Sequence, residues 1–339
     1  MIHCLLTRSL LAVILITGMS APGRAPWPAE AEDDATNLSR LAKGFNKDLS
    51  GAVWNPVTNT LWVCRNGPAG DSRLWALGEN ADGELAVLKE GDTRAEWRRI
   101  GEAEGVTFAR FDESIVFLVI EDEGAIHELD VSRFEKPVLV RSYDLSAVLP
   151  DEGGHGAEGL TFLPDEQLIS AGFRDATGEL CVSKGGLGGL MLVGHQNGGG
   201  LYAFDLSRKT GAIHFVGTYR VPSLSGEHAQ DLSRTVALEF DRSSGLLYTW
   251  HSRKGKSILT VSTLASQPGL GLRDLQRVAA FDGPGERNFE GLAIVPAEDC
   301  GPAGRALFLT VDDSKKHSLL RFDRFQVGCE PPKPEAPPK

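Results

Sequence analysis

Residues Ala103–Phe108 read AEGVTF and residues Ala157–Phe162 read AEGLTF, so nearly the same hexapeptide occurs twice, 54 positions apart. Three further segments share its layout of a polar residue, a small residue and then alternating apolar positions. They are Leu49–Pro56 (LSGAVWNP), Thr235–Phe240 (TVALEF) and Phe289–Pro296 (FEGLAIVP). The spacings are 54, 54, 78 and 54 residues, counted between Ser50, Glu104, Glu158, Val236 and Glu290. This period predicts five copies of one structural unit, with 24 extra residues in the third.

Each copy is followed by further short runs with the alternation that is typical of β-strands. In the second copy these runs are Ser114–Ile120, Ala125–Leu129 and Val138–Tyr143, and in the first copy the last run is Trp97–Ile100. A unit of about fifty residues and four strands has the size of a propeller blade. The fifth copy lacks a fourth run, and Asn37–Phe45, ahead of the first copy, is a candidate for it. The sequence therefore predicts an all-β fold, a five-bladed β-propeller of four-stranded blades closed by the N-terminal strand. The alternative is a β-sandwich in which the spacing is coincidental.

The first 31 of the 339 residues have the layout of a secretory signal peptide. Arg8 precedes the apolar run Leu10–Gly18, and Ala29-Glu30-Ala31 offers a cleavage site. The apolar run is too short to span a membrane, so we expect a mature chain without a transmembrane segment, exported to the periplasm or outside the cell. After a short spacer at 32–36, the prediction is one propeller domain at 37–327, an insertion at about 165–189, and a Pro-rich tail at 328–339.

The charge of the chain argues against one class of partner. The formal net charge is −11 and the pI is near 5.3. Binding to nucleic acid depends on neutralisation of phosphates by Lys and Arg, so we expect no nucleic-acid partner. An acidic chain is better suited to cations, although acidity alone often serves only solubility.

The repeat places a set of polar residues at one end of the predicted propeller. Successive strands of a blade are antiparallel, so first strands begin, and second strands end, on the same face. Carboxylates that converge there from several blades would repel one another and favour a bound cation. Calcium accepts six to eight oxygen ligands in irregular geometry, so we expect a Ca²⁺ site. The alternative is that each glutamate only caps backbone N–H groups of its own blade. The candidate ligands are Ser50, Glu104, Glu158, Glu290, Glu121 and Asp312.

Four cysteines follow the predicted signal peptide, and export makes disulfides permissible. Cys300 lies between the first two strands of the last blade, and Cys329 follows its third strand. Both positions fall on the face opposite the glutamates, which predicts a Cys300–Cys329 disulfide. Cys64 is expected to be a buried thiol, and the state of Cys181 is left open.

Catalytic motifs are scarce in this chain. No C-x-x-C, G-x-S-x-G or H-E-x-x-H occurs. The Gly-rich stretch Gly185–Gly200 opens no predicted helix, so we expect no organic cofactor. His155 and His251 are weak candidates for a general base at the polar face. A histidine in such a position is more often an ordinary loop or surface residue.

The repeats resemble the SdiA-regulated family of exported bacterial proteins. The resemblance covers roughly residues 45–325 and depends on Leu49-Ser50-Gly51, three Glu-Gly-[Val/Leu] strand openings, and the acidic stretch Glu121–Ile126. It implies a five-bladed propeller with a calcium site and a distant kinship to NHL-repeat propellers. It implies no biochemical function. Blade four departs from the family pattern, because Val236 cannot ligate a metal through its side chain; Asp231 is the nearest substitute.

Two classes of function remain in competition. In the first, an exported calcium-binding propeller uses its channel face to bind a small molecule or a protein. In the second, the same face is a metal-dependent hydrolase that acts on an ester, a lactone or a phosphoester. The second draws on a weaker resemblance to the phytase-like, esterase-like propeller family, and whether the protein is an enzyme is left open. Fold does not decide between them, because propellers host both.

Overall fold

The structure is a computed structural model that describes residues 35–42, 44–45, 48–67, 71–134, 136–150, 156–223, 232–253, 256–284, 287–312 and 318–329. The predicted signal peptide, His155, Asp231 and most of the predicted tail therefore lie outside the described residues. No helix within the described ranges is both long and apolar enough to cross a membrane.

The first half of the chain contains strand β1 and two repeats. Strand β1 spans Thr36–Asn37. Repeat 1 comprises β2 (Leu49–Asn55), β3 (Thr60–Arg65), β4 (Arg73–Glu79), β5 (Leu85–Val87), β6 (Lys89–Glu90), β7 (Thr93–Arg94) and β8 (Glu96–Arg98). Repeat 2 comprises β9 (Ala103–Thr107), β10 (Ile115–Ile120), β11 (Ala125–Asp130) and β12 (Val138–Asp144).

The second half contains three repeats. Repeat 3 comprises β13 (Ala157–Pro164), helix α1 (Asp165–Ala171), β14 (Gly189–His195), β15 (Leu201–Leu206) and β16 (Ile213–Arg220). Repeat 4 comprises β17 (Thr235–Asp241), β18 (Leu246–Arg253), β19 (Lys256–Pro268) and β20 (Arg273–Asp282). Repeat 5 comprises β21 (Phe289–Ile294), a 3₁₀ turn (Ala297–Asp299), β22 (Arg305–Val311) and β23 (Leu319–Phe325). Helix α1 begins the predicted insertion.

In repeats 2 to 5, strands that are consecutive along the chain pair antiparallel; in repeat 1 this holds for β2 to β5, while β8 pairs with β4 and β6 with β7. Strand β1 adds to the outer side of β23, with Thr36 opposite Arg321 and Asn37 opposite Leu320. Repeats 3 and 4 are joined into one eight-stranded sheet by a short parallel pairing of Tyr219 with Arg273 and of Arg220 with Asp274. The fold is therefore all-β and propeller-like.

The first strands of the five repeats, which we call the inner strands, contact one another in a closed cycle. Strand β2 contacts β9, β9 contacts β13, β13 contacts β17, β17 contacts β21, and β21 contacts β2. Apolar side chains fill the spaces between repeats; Trp62 of repeat 1, for example, stacks on Trp97 and meets Phe108 of repeat 2 edge to face.

Two strand predictions need correction. The N-terminal strand is Thr36–Asn37 rather than Asn37–Phe45, because the side chain of Asn37 accepts the backbone N–H of Ser39 and turns the chain away. In repeat 1 the outer position is shared by two short strands on β4. Leu85–Val87 pairs with one end of β4, and Glu96–Arg98, in place of the predicted Trp97–Ile100, pairs with the other.

A disulfide joins Cys300, just after the 3₁₀ turn, to Cys329, four residues beyond β23. Cys64 is a buried thiol, and Cys181 is half-buried. Burial raises the pKa of the Cys181 thiol to about 11, with a further contribution from Asp175. The disulfide links the end of the described chain to repeat 5.

We expect the double variant Cys300→Ser/Cys329→Ser to be less stable than the wild type by about 3–4 kcal/mol, because a cross-link across 29 residues restricts the unfolded chain. Urea unfolding with and without a reductant measures this. The reductant should destabilise the wild type and leave the double variant unchanged. A Cys181→Ser variant is the control and should respond to reductant as the wild type does. Two free thiols at Cys300 and Cys329 in the untreated wild type would contradict the prediction.

Candidate functional site

Four predicted site residues occupy the same position in their strands. Ser50, Glu104, Glu158 and Glu290 are each the second residue of an inner strand, and all four are at most 8% exposed. The inner strands contact one another, so these residues lie at one end of the cycle. We call Ser50, Glu104, Glu158, Glu290, Glu121 and Asp312 together the acidic ring.

Polar neighbours hold Glu104 and Glu290 in place. The Ser50 hydroxyl and the Asn66 side-chain amide both donate to the carboxylate of Glu104. The Asn288 side-chain amide donates to Oε1 of Glu290. The other oxygen of Glu290, Oε2, is buried and has no hydrogen-bond partner among the described residues. A buried carboxylate oxygen without a donor is costly, so this atom is the clearest opening for a ligand.

The remaining members of the ring follow second strands. Glu121 comes directly after β10, and its Oε1 accepts the backbone N–H of Gly156 at 2.8 Å. Asp312 comes directly after β22, and the Asn288 side-chain amide lies 3.5 Å from its Oδ2. Both carboxylates act electrostatically on Glu104 and Glu290. The structure thus brings the six predicted residues to one end of the inner strands.

One cation of this site has no counterpart in the sequence predictions. Arg234, at the entrance to β17, donates to the side-chain oxygen of Gln196 at 2.6 Å and acts electrostatically on Glu158 and Glu290. Arg234 belongs to repeat 4, where the second residue of the inner strand is the apolar Val236. In the sequence, Arg234 is marked only by its place two residues before Val236. The repeat does not restrict the residue type at that place.

Burial and mutual repulsion raise the pKa values of the three glutamates. Burial, together with the nearby carboxylate of Glu121, raises the pKa of Glu104 well above 4.5. Burial and the charges of Glu104 and Glu290 do the same to the pKa of Glu158. Burial and Asp312 raise the pKa of Glu290 to about 8. Without a further positive charge, the ring cannot hold all its carboxylates ionised at neutral pH.

The ends of the second strands also tie neighbouring repeats together. In each case a group at the end of the second strand of one repeat bonds to a group at the start of the next repeat. The contacts are Asn66 to Glu104, Glu121 to Gly156 N (2.8 Å), Gln196 to Arg234 (2.6 Å), Ser252 Oγ to Asn288 Oδ1 (3.2 Å), and Asp312 O to Asp48 N (3.4 Å). A very small cavity of about 10 Å³ lies between the inner strands just inside this end, with Glu104 and Glu290 on its wall.

The two predicted histidines are less favourably placed. His155 lies outside the described residues. His251 is buried, with its ring nitrogens 3.1 Å from Thr260 Oγ1 and 3.5 Å from Thr235 Oγ1. Burial, with the charge of Arg277, lowers the pKa of His251 to about 3. Within the described ranges, no three His, Cys, Asp or Glu side chains already converge as metal ligands do.

No family model matches the chain. No curated protein matches it either. Among solved structures, it is similar to a candidate 6-phosphogluconolactonase from Bacteroides uniformis, at 14% identity over 81% of this chain and 83% of that one, with a TM-score of 0.39. A second candidate 6-phosphogluconolactonase, from Bacteroides fragilis, matches at 10% identity over 82% and 84%, with a TM-score of 0.39. A luciferin-regenerating enzyme matches at 11% identity over 86% and 98%, with a TM-score of 0.42.

Proposed function

We propose that the chain is an exported five-bladed β-propeller that binds Ca²⁺ in its acidic ring and uses that end of the channel to bind a small molecule or a protein. The closed cycle of five inner strands supports five blades, one for each repeat. The pairing of β1 with β23 supports closure by the N-terminal strand, since it supplies a fourth strand to repeat 5. The Cys300–Cys329 disulfide agrees with an oxidising compartment outside the cytoplasm.

The unpartnered Oε2 of Glu290 carries the calcium proposal. Glu290 lines the same small cavity as Glu104, and every candidate ligand in the ring is a hard oxygen donor of the kind that calcium prefers. Glu104, Glu158 and Glu290 would hold the ion, with Ser50, Glu121 and Asp312 around them. A bound cation would supply positive charge to carboxylates that otherwise repel one another. Since the described carboxylates do not yet converge, binding would require them to draw together.

The hydrolase alternative ranks second. Metal-assisted hydrolysis needs a general base beside a metal-bound water. His251 is buried between two threonines and its pKa of about 3 makes it a weak base at neutral pH. The other candidate, His155, lies outside the described residues. The site therefore favours a binding role over a catalytic one.

Calcium should raise the melting temperature of the chelator-treated protein by several degrees, because a ligand that binds only the folded state stabilises it. At a calcium concentration about a hundredfold above Kd the gain is about 2.7 kcal/mol. Glu290→Gln and Glu158→Gln should lose most of this gain. Without calcium, both variants should melt no lower than the wild type, since each removes a buried repelling carboxylate.

The matched control is Glu79→Gln, at the exposed end of β4, which should respond to calcium as the wild type does. Elemental analysis of the untreated protein should find calcium near one ion per chain. A calcium response that is unchanged in both ring variants would remove Glu290 and Glu158 from the ligands. An absence of both metal and chelator effect would leave the glutamates as structural residues.

A further inference from the structure

A second and larger cavity lies at the opposite end of the inner strands. Its volume is about 220 Å³, which is below the range of sites that enclose drug-sized ligands and suits a smaller organic group. Trp54 and Ile294, close to the ends of β2 and β21, form part of its apolar wall, together with Phe111 and Phe240. The acidic ring lies at the other ends of these strands. From Glu290 to Ile294 the strand advances roughly 13 Å, so the two sites are separate.

One carboxylate in this cavity has no hydrogen-bond partner among the described residues. Glu239, in β17, is 6% exposed, and its side chain makes no hydrogen bond or ion pair with any described residue. The indole N–H of Trp54, on the same wall, is also buried without a partner among the described residues. Fully buried polar groups in folded proteins are nearly always bonded, so the Trp54 indole N–H, with the Glu239 carboxyl group on the same cavity wall, points to a ligand that is not part of the chain.

Of the other three charged residues on the wall, Glu298 is exposed, and Arg242 and Asp241 are already engaged. Arg242 donates to the backbone oxygens of Phe108 and Ala109, and its guanidinium stacks on the Phe111 ring at 4.0 Å. Asp241 forms a buried ion pair with Arg305 at 2.6 Å. Glu239 is thus the buried carboxyl group on the wall whose hydrogen bonds are left to a ligand; Arg242 acts on it only electrostatically.

We propose that this second cavity binds a small organic cation, with its ammonium group beside the Glu239 carboxylate and its apolar body against Trp54 and Phe240. Aromatic faces and a buried carboxylate are the two features that attract such a group. Burial, with Asp241 nearby, raises the pKa of Glu239 well above 4.5 against the opposing charges of Arg242 and Arg305, and a bound ammonium would oppose that shift further. The proposal is independent of calcium in the acidic ring.

Binding of three fluorinated probes of similar size by ¹⁹F NMR tests this. The probes are 4-fluorobenzylamine, 4-fluorobenzyl alcohol and 4-fluorobenzoate, titrated into the full mature protein with calcium present throughout. The amine should bind at least about tenfold more tightly than the alcohol and the carboxylate. Glu239→Gln should weaken the amine by about tenfold or more and leave the alcohol unchanged, whereas Glu239→Asp, which keeps the charge, should retain the preference for the amine.

Glu84→Gln is the matched control, because Glu84 is exposed in repeat 1 and does not line the cavity. It should bind all three probes as the wild type does. Equal binding of amine and alcohol, tighter binding of the carboxylate, or full amine binding by a folded Glu239→Gln variant would each overturn the proposal. Calcium-dependent melting should be normal in Glu239→Gln, so failure of this site and failure of the acidic ring give different results.

Discussion

Gly105→Ala is expected to be severely destabilised, by about 3 kcal/mol or more, although it adds a single methyl group. A Cβ atom at Gly105 would lie 2.6 Å from the backbone oxygen of Glu158 and 2.7 Å from the backbone nitrogen of Leu160. Both atoms belong to β13, the neighbouring inner strand, so no flexible side chain can move aside. Overpacking of a well-filled interior typically costs 1–3 kcal/mol, and rigid backbone neighbours place this case at the upper end.

Gly301→Ala is the matched control for this substitution. Gly301 also has no positive φ angle, but the nearest atom to its added Cβ is the backbone oxygen of Gly304 at 3.7 Å, an ordinary contact. Urea unfolding should give a far lower midpoint for Gly105→Ala than for Gly301→Ala, with similar slopes. If the two variants unfolded within about 0.5 kcal/mol of each other, the inner strands could not pack as closely as described.

This close approach explains why a glycine follows the glutamate in the repeated motif. In Glu104-Gly105 the glutamate enters the acidic ring, and the glycine lets the next inner strand approach. The pattern and its 54-residue period were therefore sufficient to predict the all-β, propeller-like class and to select ring residues. In repeat 4 the same positions are Val236-Ala237, which the sequence marks as a departure but cannot interpret further.

Other parts of the site could not be predicted from the repeated pattern, because they depend on contacts between repeats. Arg234 and Asn288 lie before the repeated segment, where spacing imposes no residue type. Asn288 nevertheless bonds to Glu290, and Arg234 acts electrostatically on Glu158 and Glu290. The second cavity combines the ends of strands from several repeats, and Glu239 has no equivalent in the motif. Strand ends were equally hard to predict, since the turn after Asn37 depends on a side-chain bond.

The second large effect is expected at Arg305, whose side chain is fully buried in repeat 5. It forms an ion pair with Asp241 at 2.6 Å and donates to the hydroxyl of Tyr248 and the backbone oxygen of Val327, each at 2.7 Å. Burial would raise the pKa of Asp241, but Arg305 and the nearby Ser243 hydroxyl hold it below its usual value. The arginine thus joins repeats 4 and 5 to the segment that leads to the Cys300–Cys329 disulfide.

Arg305→Met should cost about 3–5 kcal/mol, because it leaves Asp241 buried without a counter-charge. Adding Asp241→Asn should recover part of that loss, since the double variant no longer buries an unpaired charge. Arg321→Met is the control: its partner Asp323 is more than half exposed, so breaking this pair should cost at most about 1 kcal/mol. Urea unfolding of the four variants in the Arg305–Asp241 cycle measures the coupling. Strictly additive losses would show that Arg305 stabilises the fold through its bonds to Tyr248, Val295 and Val327, and that the ion pair contributes nothing.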